Sequence, residues 1–451
     1  MPDAATVGAT ADFWGRAPRV LKLAVPSAGE ALLGMLVGLV NTYLVGHLGA
    51  ASLTAVGLAW QWALAAMILF TAVGTGATAL IARMVGAGDW QGANRVVVQA
   101  VVVAFATGIV ASLVLIGLAE PALVLIGAEG EALAQGVVYL RVVSTVYALS
   151  SVMFIGNSCL RGAGDTRTPL MVMAVVNIVN VVVAWVLVEG VWGLPALGVL
   201  GAALGSAVGR AVGGFLVVAL LLRGRAGLLL RWRGPDLEMV RRMLRVGLPA
   251  GLDQLVSRLG MLAYVRVLSA LGTASFAAHQ IALNGESISF MPGWGFAVAA
   301  TTLVGQGLGA RDEKRAEKDA MLTFYIAAAF MSAMGVVFIG FAPAVIGLFT
   351  DEAEVIALGS TPLRLIGVVQ PFLAAMMVFA GSLRGAGDTL TPMLINGVGV
   401  WLLRVPLSIV ATQVLGWGLT GVWMVMALDL TVRGCFLFAQ FKRGRWKTIQ
   451  I

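Results

Sequence analysis

Long apolar runs follow one another through this chain with only short polar breaks, and no other feature limits its fold so strongly. They lie near residues 20–46, 54–84, 95–119, 132–158, 168–189 and 197–222, and again near 240–269, 276–306, 316–345, 356–382, 391–412 and 417–440. Each reaches the roughly 20 residues that cross a bilayer core at about 1.5 Å per residue. Of 451 residues, 59% are hydrophobic and 12% charged, and the mean hydropathy is +0.94, too apolar a balance for a soluble surface. Unbroken runs of this length exclude a membrane β-barrel, whose strands alternate over about ten residues. The pattern predicts an all-α polytopic membrane protein of twelve helices with no sizeable soluble domain. Residues 1–15 contain no Lys or Arg, so the first run is expected to be a retained span, not a cleavable signal.

The net charge of +8 raises the question of a nucleic-acid partner, and the placement of the basic residues answers it. Arg16, Arg19 and Lys22 precede the first run, Arg83 and Arg95 flank the second loop, and Arg161 and Arg167 follow the fourth run. Arg223, Arg225, Arg231, Arg233, Arg241, Arg242 and Arg245 crowd the centre; Arg311, Lys314, Arg315, Lys318, Arg384, Lys442, Arg443, Arg445 and Lys447 continue the series on the same side. The alternate loops carry no Lys or Arg. Under the positive-inside rule both termini are expected in the cytoplasm, with anionic lipid headgroups as the partner of the basic loops and no nucleic acid involved.

Arg161-Gly162-Ala163-Gly164-Asp165-Thr166 recurs letter for letter as Arg384-Gly385-Ala386-Gly387-Asp388-Thr389. The difference in numbering between Arg161 and Arg384 also relates Pro26 to Pro249, Gly49 to Gly272, Asp89 to Asp312, Arg141 to Arg364, Pro169 to Pro392 and Arg210 to Arg433, so one constant offset runs through the chain. The chain therefore reads as two homologous six-helix bundles, 1–222 and 241–451, joined by a basic linker at 223–240. Six spans per copy make the repeats parallel, with a central cavity between bundles and alternating access as the first mechanism to consider.

The paired RGAGDT-x-TP segments, the stretch NTYLVGHLGA from Asn41, AAHQIALN from Ala277 and FMPGWGFAVAATTLVGQGLGA from Phe290 resemble the multidrug and toxic compound extrusion (MATE) family, within the MOP flippase group. The resemblance covers essentially the whole chain. It implies a secondary active antiporter that exports amphipathic organic cations in exchange for inward protons or sodium, with no cofactor beyond that coupling ion and no enzymatic activity. It further implies an inner-membrane protein, read here as a monomer. The chain departs from the family pattern at three places. Asn41 stands where many members carry an aspartate, Ala184 follows Asn177 and Asn180 where another acid is common, and Leu373 occupies a region where some branches place one.

Coupling candidates therefore come from the acids that remain at membrane depth, where an ionisable side chain is costly unless paired or hydrated. Glu30 and Asp253 each lie four residues after a helix-initiating proline and are mates under the repeat. Near a helix start, a carboxylate also favours the helix dipole, which offers them a purely structural role. Glu30 and Asn41 fall within about 20° of one helical face, as do His279 and Glu286. Glu286 precedes Met291-Pro292-Gly293-Trp294-Gly295, where a kink is expected. A carboxylate there exchanges its proton for an arriving cation, unless Arg258 or Arg266 pairs with it. Asp429 and Arg433 have the spacing of an intrahelical ion pair.

Asn41, Gln61, Met67, Asn177, Asn180, His279, Gln280, Asn284, Met291 and Trp294 are the candidate substrate-cavity residues, since aromatic faces and methionines suit flat lipophilic cations. Two histidines and the isolated Cys159 and Cys435 form no haem, disulfide or metal pattern. Gly201, Gly205 and Gly209 read as a helix-packing ridge. Arg258, Arg266 and Arg404 keep open an alternative within the MOP group, export of a lipid-linked or anionic metabolite.

Overall fold

The computed structural model describes residues 14–193, 195–231 and 234–451; Arg233 and most of the leading basic-free segment lie outside them. Helix follows helix, with no strand among the described residues. The first copy of the repeat comprises α1 (Ala17–Gly46), α2 (Ala50–Gly86), α3 (Trp90–Gly117), the short α4 (Ala119–Leu125), α5 (Gly130–Ser144), α6 (Tyr147–Gly162), α7 (Arg167–Glu189) and α8 (Val199–Leu222). The second comprises α9 (Leu237–Ser269), α10 (Thr273–Gly309), α11 (Glu313–Gly347), α12 (Ala353–Val368), α13 (Gln370–Ala386), α14 (Leu390–Val398), α15 (Val405–Ile409) and α16 (Gly418–Lys442). Two π-helical stretches, Gly399–Arg404 and Val410–Val414, flank α15 and fuse it with α14 into one span.

The repeated residues stand at the helix junctions. Gly49 and Gly272 take φ of +114° and +92° at the starts of α2 and α10, a region open mainly to glycine. Asp89 and Asp312 cap α3 and α11 by accepting the Gly92 and Arg315 backbone N–H at 2.7 and 2.9 Å. In the RGAGDT turns, Asp165 and Asp388 accept from the Thr168 and Thr391 N–H at 3.0 Å each. These segments are helix ends built twice, which is why they recur.

Nine of the described helices are long and apolar enough to span a membrane, and two bent pairs raise the number to eleven. The charged α9 is the twelfth, since the repeat offset gives it the place of α1. The two pairs correct the expectation of straight spans at 132–158 and 356–382. The chain bends by 56° between α5 and α6 and by 58° between α12 and α13. At Pro292, where a kink is expected, α10 runs on with no break in its helical assignment. Its glycines instead admit neighbours: a Cβ on Gly295 would lie 2.5 Å from the Ala24 carbonyl oxygen. The break in helical dihedrals falls in α11, at Phe341 (φ −122°).

The chain forms two compact units. One is Gly29–Gly251; the other is Leu252–Ile451 together with the chain up to Ala28. The cuts at 29 and 252 are themselves related by the repeat offset, so α1 and α9 each begin in one unit and continue in the other. In the first unit Phe70, Leu123, Leu140 and Tyr147 anchor the core, and the ridge Gly201–Gly205–Gly209 packs α8 on α7 at Leu187, Ala184 and Val176. In the second, Tyr264, Phe338, Leu363 and Trp423 form the core around which α9, α10 and α16 are arranged.

Candidate functional site

Within the second unit, polar groups from five helical segments meet inside the apolar core. Asp429 on α16 is fully buried, and its Oδ2 accepts from Arg404 Nε at 2.8 Å and from Arg433 Nη2. Removing a carboxylate from water costs several kcal/mol, and two guanidinium donors on one oxygen offset that cost here. Gly399 makes the approach possible, because a Cβ there would lie 2.4 Å from Arg433 Cδ and 2.7 Å from Asp429 Oδ1.

The chain of contacts continues outward. Arg433 Nη1 donates to Asn396 Oδ1 at 3.4 Å, Asn396 Nδ2 donates to Asp253 at 3.2 and 3.3 Å, and Arg384 Nη2 donates to Asp253 Oδ2 at 2.8 Å. In the other direction the Arg404 guanidinium lies over the Tyr264 ring, 5.7 Å from its centroid. His279 stands edge-on to Tyr264 and Trp423, with centroids 5.8 and 5.6 Å apart, and neither of its ring nitrogens has a hydrogen-bond partner among the described residues.

Glu286 lies thirteen residues into α10 and is 8% exposed. Its carboxylate makes no hydrogen bond or ion pair among the described residues. Neither Arg258 nor Arg266 forms an ion pair with it among the described residues; the arginine pairs of this unit go to Asp253 and Asp429. A buried acid in this condition holds a net charge only at considerable cost, which makes it responsive to any proton or cation that reaches it.

Glu30 and Asp253 sit differently. Arg161 Nη1 donates to both Glu30 oxygens at 2.8 and 3.0 Å, with Nη2 on Ser158 Oγ at 2.8 Å, and Arg384 holds Asp253 as described. Each acid is thus clamped by the arginine of its own RGAGDT segment. The polar residues of the first unit are dispersed. Asn177 donates to the Leu33 carbonyl at 2.7 Å, Asn180 donates to Ser206 Oγ at 3.1 Å, Asn41 and Met67 are half-buried, and Gln61 is exposed. On α10 two faces separate. His279 and Glu286 are buried, whereas Gln280, Asn284 and Trp294 are exposed and Met291 is half-buried beside them. The structure therefore groups His279 with Glu286 and sets apart the other four α10 candidates, which share a neighbouring face.

The sequence named Arg404 only as an intramembrane arginine, and Tyr264, Asn396 and Trp423 not at all. The partners of Glu30 and Asp253 had a usable signal: 161 − 30 and 384 − 253 are both 131, so the two clamps recur with the repeat.

The family model for MatE matches residues 26–186 and 249–410, one match in each copy, the two starts again separated by the repeat offset. The chain belongs to the MATE family. Two relatives are described as probable multidrug resistance protein NorM. That of Thermotoga maritima is 32% identical over 433 residues, 95% of this chain and 92% of the relative; that of Pseudomonas putida is 31% identical over 434 residues, 91% of each. Among solved structures, an outward-facing multidrug resistance MATE transporter of the MOP superfamily superposes with a TM-score of 0.89 at 24% identity, over 96% of both chains. A MOP superfamily transporter from Pyrococcus furiosus gives 0.88 at 24% identity, again over 96% of both. These likenesses establish the twelve-helix, two-repeat MATE fold. The protein is a multi-pass membrane transporter and not an enzyme, in keeping with its family.

Proposed function

We propose that this MATE transporter is a secondary active efflux antiporter that exports amphipathic organic cations or drugs in exchange for inward protons or sodium, by alternating access of its two six-helix halves joined through residues 223–240. The observation that carries the reading is Glu286, a buried carboxylate with no hydrogen-bond partner among the described residues, inside a transporter whose relatives are described as multidrug resistance proteins. Such a carboxylate binds either a proton or an organic cation, and mutual exclusion couples the two movements. The exposed face of α10, with Gln280, Asn284, Met291 and Trp294, offers hydrogen bonds and an aromatic surface to a flat cation. In the first half, Asn41, Gln61, Met67, Asn177 and Asn180 are separate candidates for substrate contact within their own unit, Asn177 and Asn180 after release from Leu33 and Ser206. Glu30 and Asp253 contribute through the arginines that hold them. The protein works as a monomer in the inner membrane with both termini in the cytoplasm, an orientation that the placement of the basic loops supports.

Purified protein in sealed liposomes, given an imposed proton gradient in sodium-free buffer and then a sodium gradient, tests this reading with a fluorescent organic cation. Gradient-driven movement that falls at least about tenfold in Glu286→Gln is the expected result. Movement that survives collapse of both gradients, or that is indifferent to Glu286→Gln, overturns it. A second reading, export of a lipid-linked or anionic metabolite, is favoured by one observation: Arg404 and Arg433 converge on a single oxygen of Asp429. Transport of an anionic dye in place of the cationic one is its signature.

A further inference from the structure

The linker that follows α8 is strapped to α3. Asn94 Oδ1 accepts from the Leu229 N–H at 2.8 Å, and Gln99 Nε2, on a side chain only 4% exposed, donates to the Gly234 carbonyl at 2.9 Å. A Cβ on Gly227 would lie 2.7 Å from Trp90 Cζ3, so the linker also runs close over that ring. Beside these contacts the two segments leave a cavity of about 500 Å³, within the size range of small-molecule sites. It lies wholly inside the unit Gly29–Gly251.

Arg95 of α3 and Arg231 of the linker both line this cavity. Both are exposed, and neither forms an ion pair or a side-chain hydrogen bond among the described residues. Asp236 lines it too, but its Oδ1 is engaged in capping α9, where it accepts from the Met239 N–H at 3.0 Å. Two arginines against one acid leave a surplus of one positive charge. Leu229 and Leu237 stand at the same cavity and are 37% and 80% exposed, so apolar carbon and unpaired cations share one opening. The second half resolves the corresponding place differently. Asn94 and Arg95 correspond to Glu317 and Lys318, and Glu317 accepts from Lys447 at 2.7 Å and from Lys442 at 3.4 Å. There the chain supplies its own counter-charge, and at Arg95 and Arg231 it does not.

We propose that the cavity between α3 and the linker is a phospholipid site, in which Arg95 and Arg231 hold the phosphodiester of a cytoplasmic-leaflet lipid and Leu229 and Leu237 meet the carbon below it. The planar guanidinium matches phosphate oxygens two at a time, and a basic pocket at the cytoplasmic ends of membrane helices is suited to a headgroup. A phosphodiester with an uncharged head, as in phosphatidylglycerol, carries the single negative charge that cancels the surplus. Inorganic phosphate would satisfy the arginines and leave both leucines in water, which is why the lipid is the better match. The site differs from the diffuse attraction of basic loops to an anionic surface, because it holds one lipid at one place. A headgroup there ties α3 to the linker that leads into α9, alongside the bonds from Asn94 and Gln99.

Native mass spectrometry of the purified full-length protein, released from micelles containing phosphatidylglycerol, tests the assignment. Wild type is expected to retain one lipid more tightly than any further ones. The double variant Arg95→Gln, Arg231→Gln is expected to bind it about tenfold or more weakly, since its two charge-assisted contacts are lost. The control Arg443→Gln, Arg445→Gln removes the same charge from exposed positions of the same basic series and stays within about twofold of wild type. Inorganic phosphate in about tenfold excess over the lipid is expected to leave it bound. Equal losses in the two double variants, or a wild type that holds no lipid more tightly than the rest, would reduce the effect to diffuse attraction and overturn the proposal. Displacement by inorganic phosphate would make the cavity a site for the soluble anion, and the lipid assignment falls. Arg95 and Arg231 bond to nothing else among the described residues, so their variant is expected to keep the wild-type Tm. If it does not fold, Arg231→Gln set against Arg445→Gln gives the same ranking with a loss of about threefold.

Discussion

The two halves share a skeleton and differ in what they bury. Glu30–Arg161 and Asp253–Arg384 are the same clamp, made once in each copy of the repeat. Beyond the clamp the correspondence ends. Asn396, Arg404 and Asp429 correspond to Met173, Val181 and Ser206, and His279, Glu286 and Trp423 to Val56, Ala63 and Leu200. Only Arg433 has a charged counterpart, Arg210. One half therefore has an isolated clamp, and the other extends the clamp through Asn396 and Arg433 to Asp429 and Arg404. The clamp is common to both halves, and the network from Asp253 to Asp429 and Arg404 belongs to the second half alone.

The clamps are the sharpest place to break this comparison. Asp253→Asn leaves Arg384 without its carboxylate and weakens the contact to Asn396 as well, whereas Glu30→Gln leaves Arg161 its bond to Ser158. Both acids are largely buried, and an uncompensated partner of a buried pair costs about 3–5 kcal/mol. Thermal unfolding of purified protein is expected to show the larger loss of Tm for Asp253→Asn and a smaller one for Glu30→Gln. Equal losses would mean that the extension beyond the clamp adds nothing to stability. Glu286→Gln forms the contrast, because a group with no direct bond leaves Tm within a few degrees of wild type while transport falls.

Next in size is the packing of α8 on α7, which has no counterpart across the repeat: Met424, Leu428 and Val432 stand where the first half has Gly201, Gly205 and Gly209. A Cβ on Gly205 would lie 2.6 Å from the Ala184 Cβ and 2.7 Å from its backbone nitrogen, so α8 must move to accept one. Gly205→Val is expected to cost about 1–3 kcal/mol, read as lower Tm and poorer yield, while Leu428→Val in the other half, at a side chain that is 47% exposed, leaves Tm nearly unchanged. A loss from Leu428→Val as large as that from Gly205→Val would mean that the exposed face of α16 is a packing face as well.

Much of the architecture was legible in the sequence because it follows from apolar run length and from exact recurrence. Helix ends marked by Gly49, Asp89 and Asp165 reappear at Gly272, Asp312 and Asp388, and the observed borders lie within a few residues of the runs. The bends between Ser144 and Tyr147 and between Val368 and Gln370 were not legible. The first falls at Ser144-Thr145-Val146, where no proline or glycine marks the break. At the site, the shared face of His279 and Glu286 and the Asp429–Arg433 pair followed from helical spacing alone. The link from Arg404 to Asp429 did not, because it joins two segments 25 residues apart through a π-helical register that no periodicity announces.

The smallest expected difference separates the two RGAGDT turns, whose letters are identical. Asp165 accepts from the Thr168 N–H and from Thr168 Oγ1 at 2.6 Å, and Arg225 Nε reaches its Oδ2 at 3.2 Å. Asp388 caps its helix through the Thr391 N–H, while its turn is covered on another side by Ile451, toward which a Cβ on Gly387 would point at 2.4 Å. Loss of a capping carboxylate costs about 1 kcal/mol, and an ion pair as exposed as Arg225–Asp165 adds a few tenths at most. Asp165→Asn is therefore expected to lower Tm slightly more than Asp388→Asn, and the excess should shrink in high salt, where the contact to Arg225 is screened. An excess that persists in high salt would locate the difference in the Thr168 hydroxyl bond, and one of opposite sign would mean that the C-terminal residues lean on Asp388 more than on the glycine beside it.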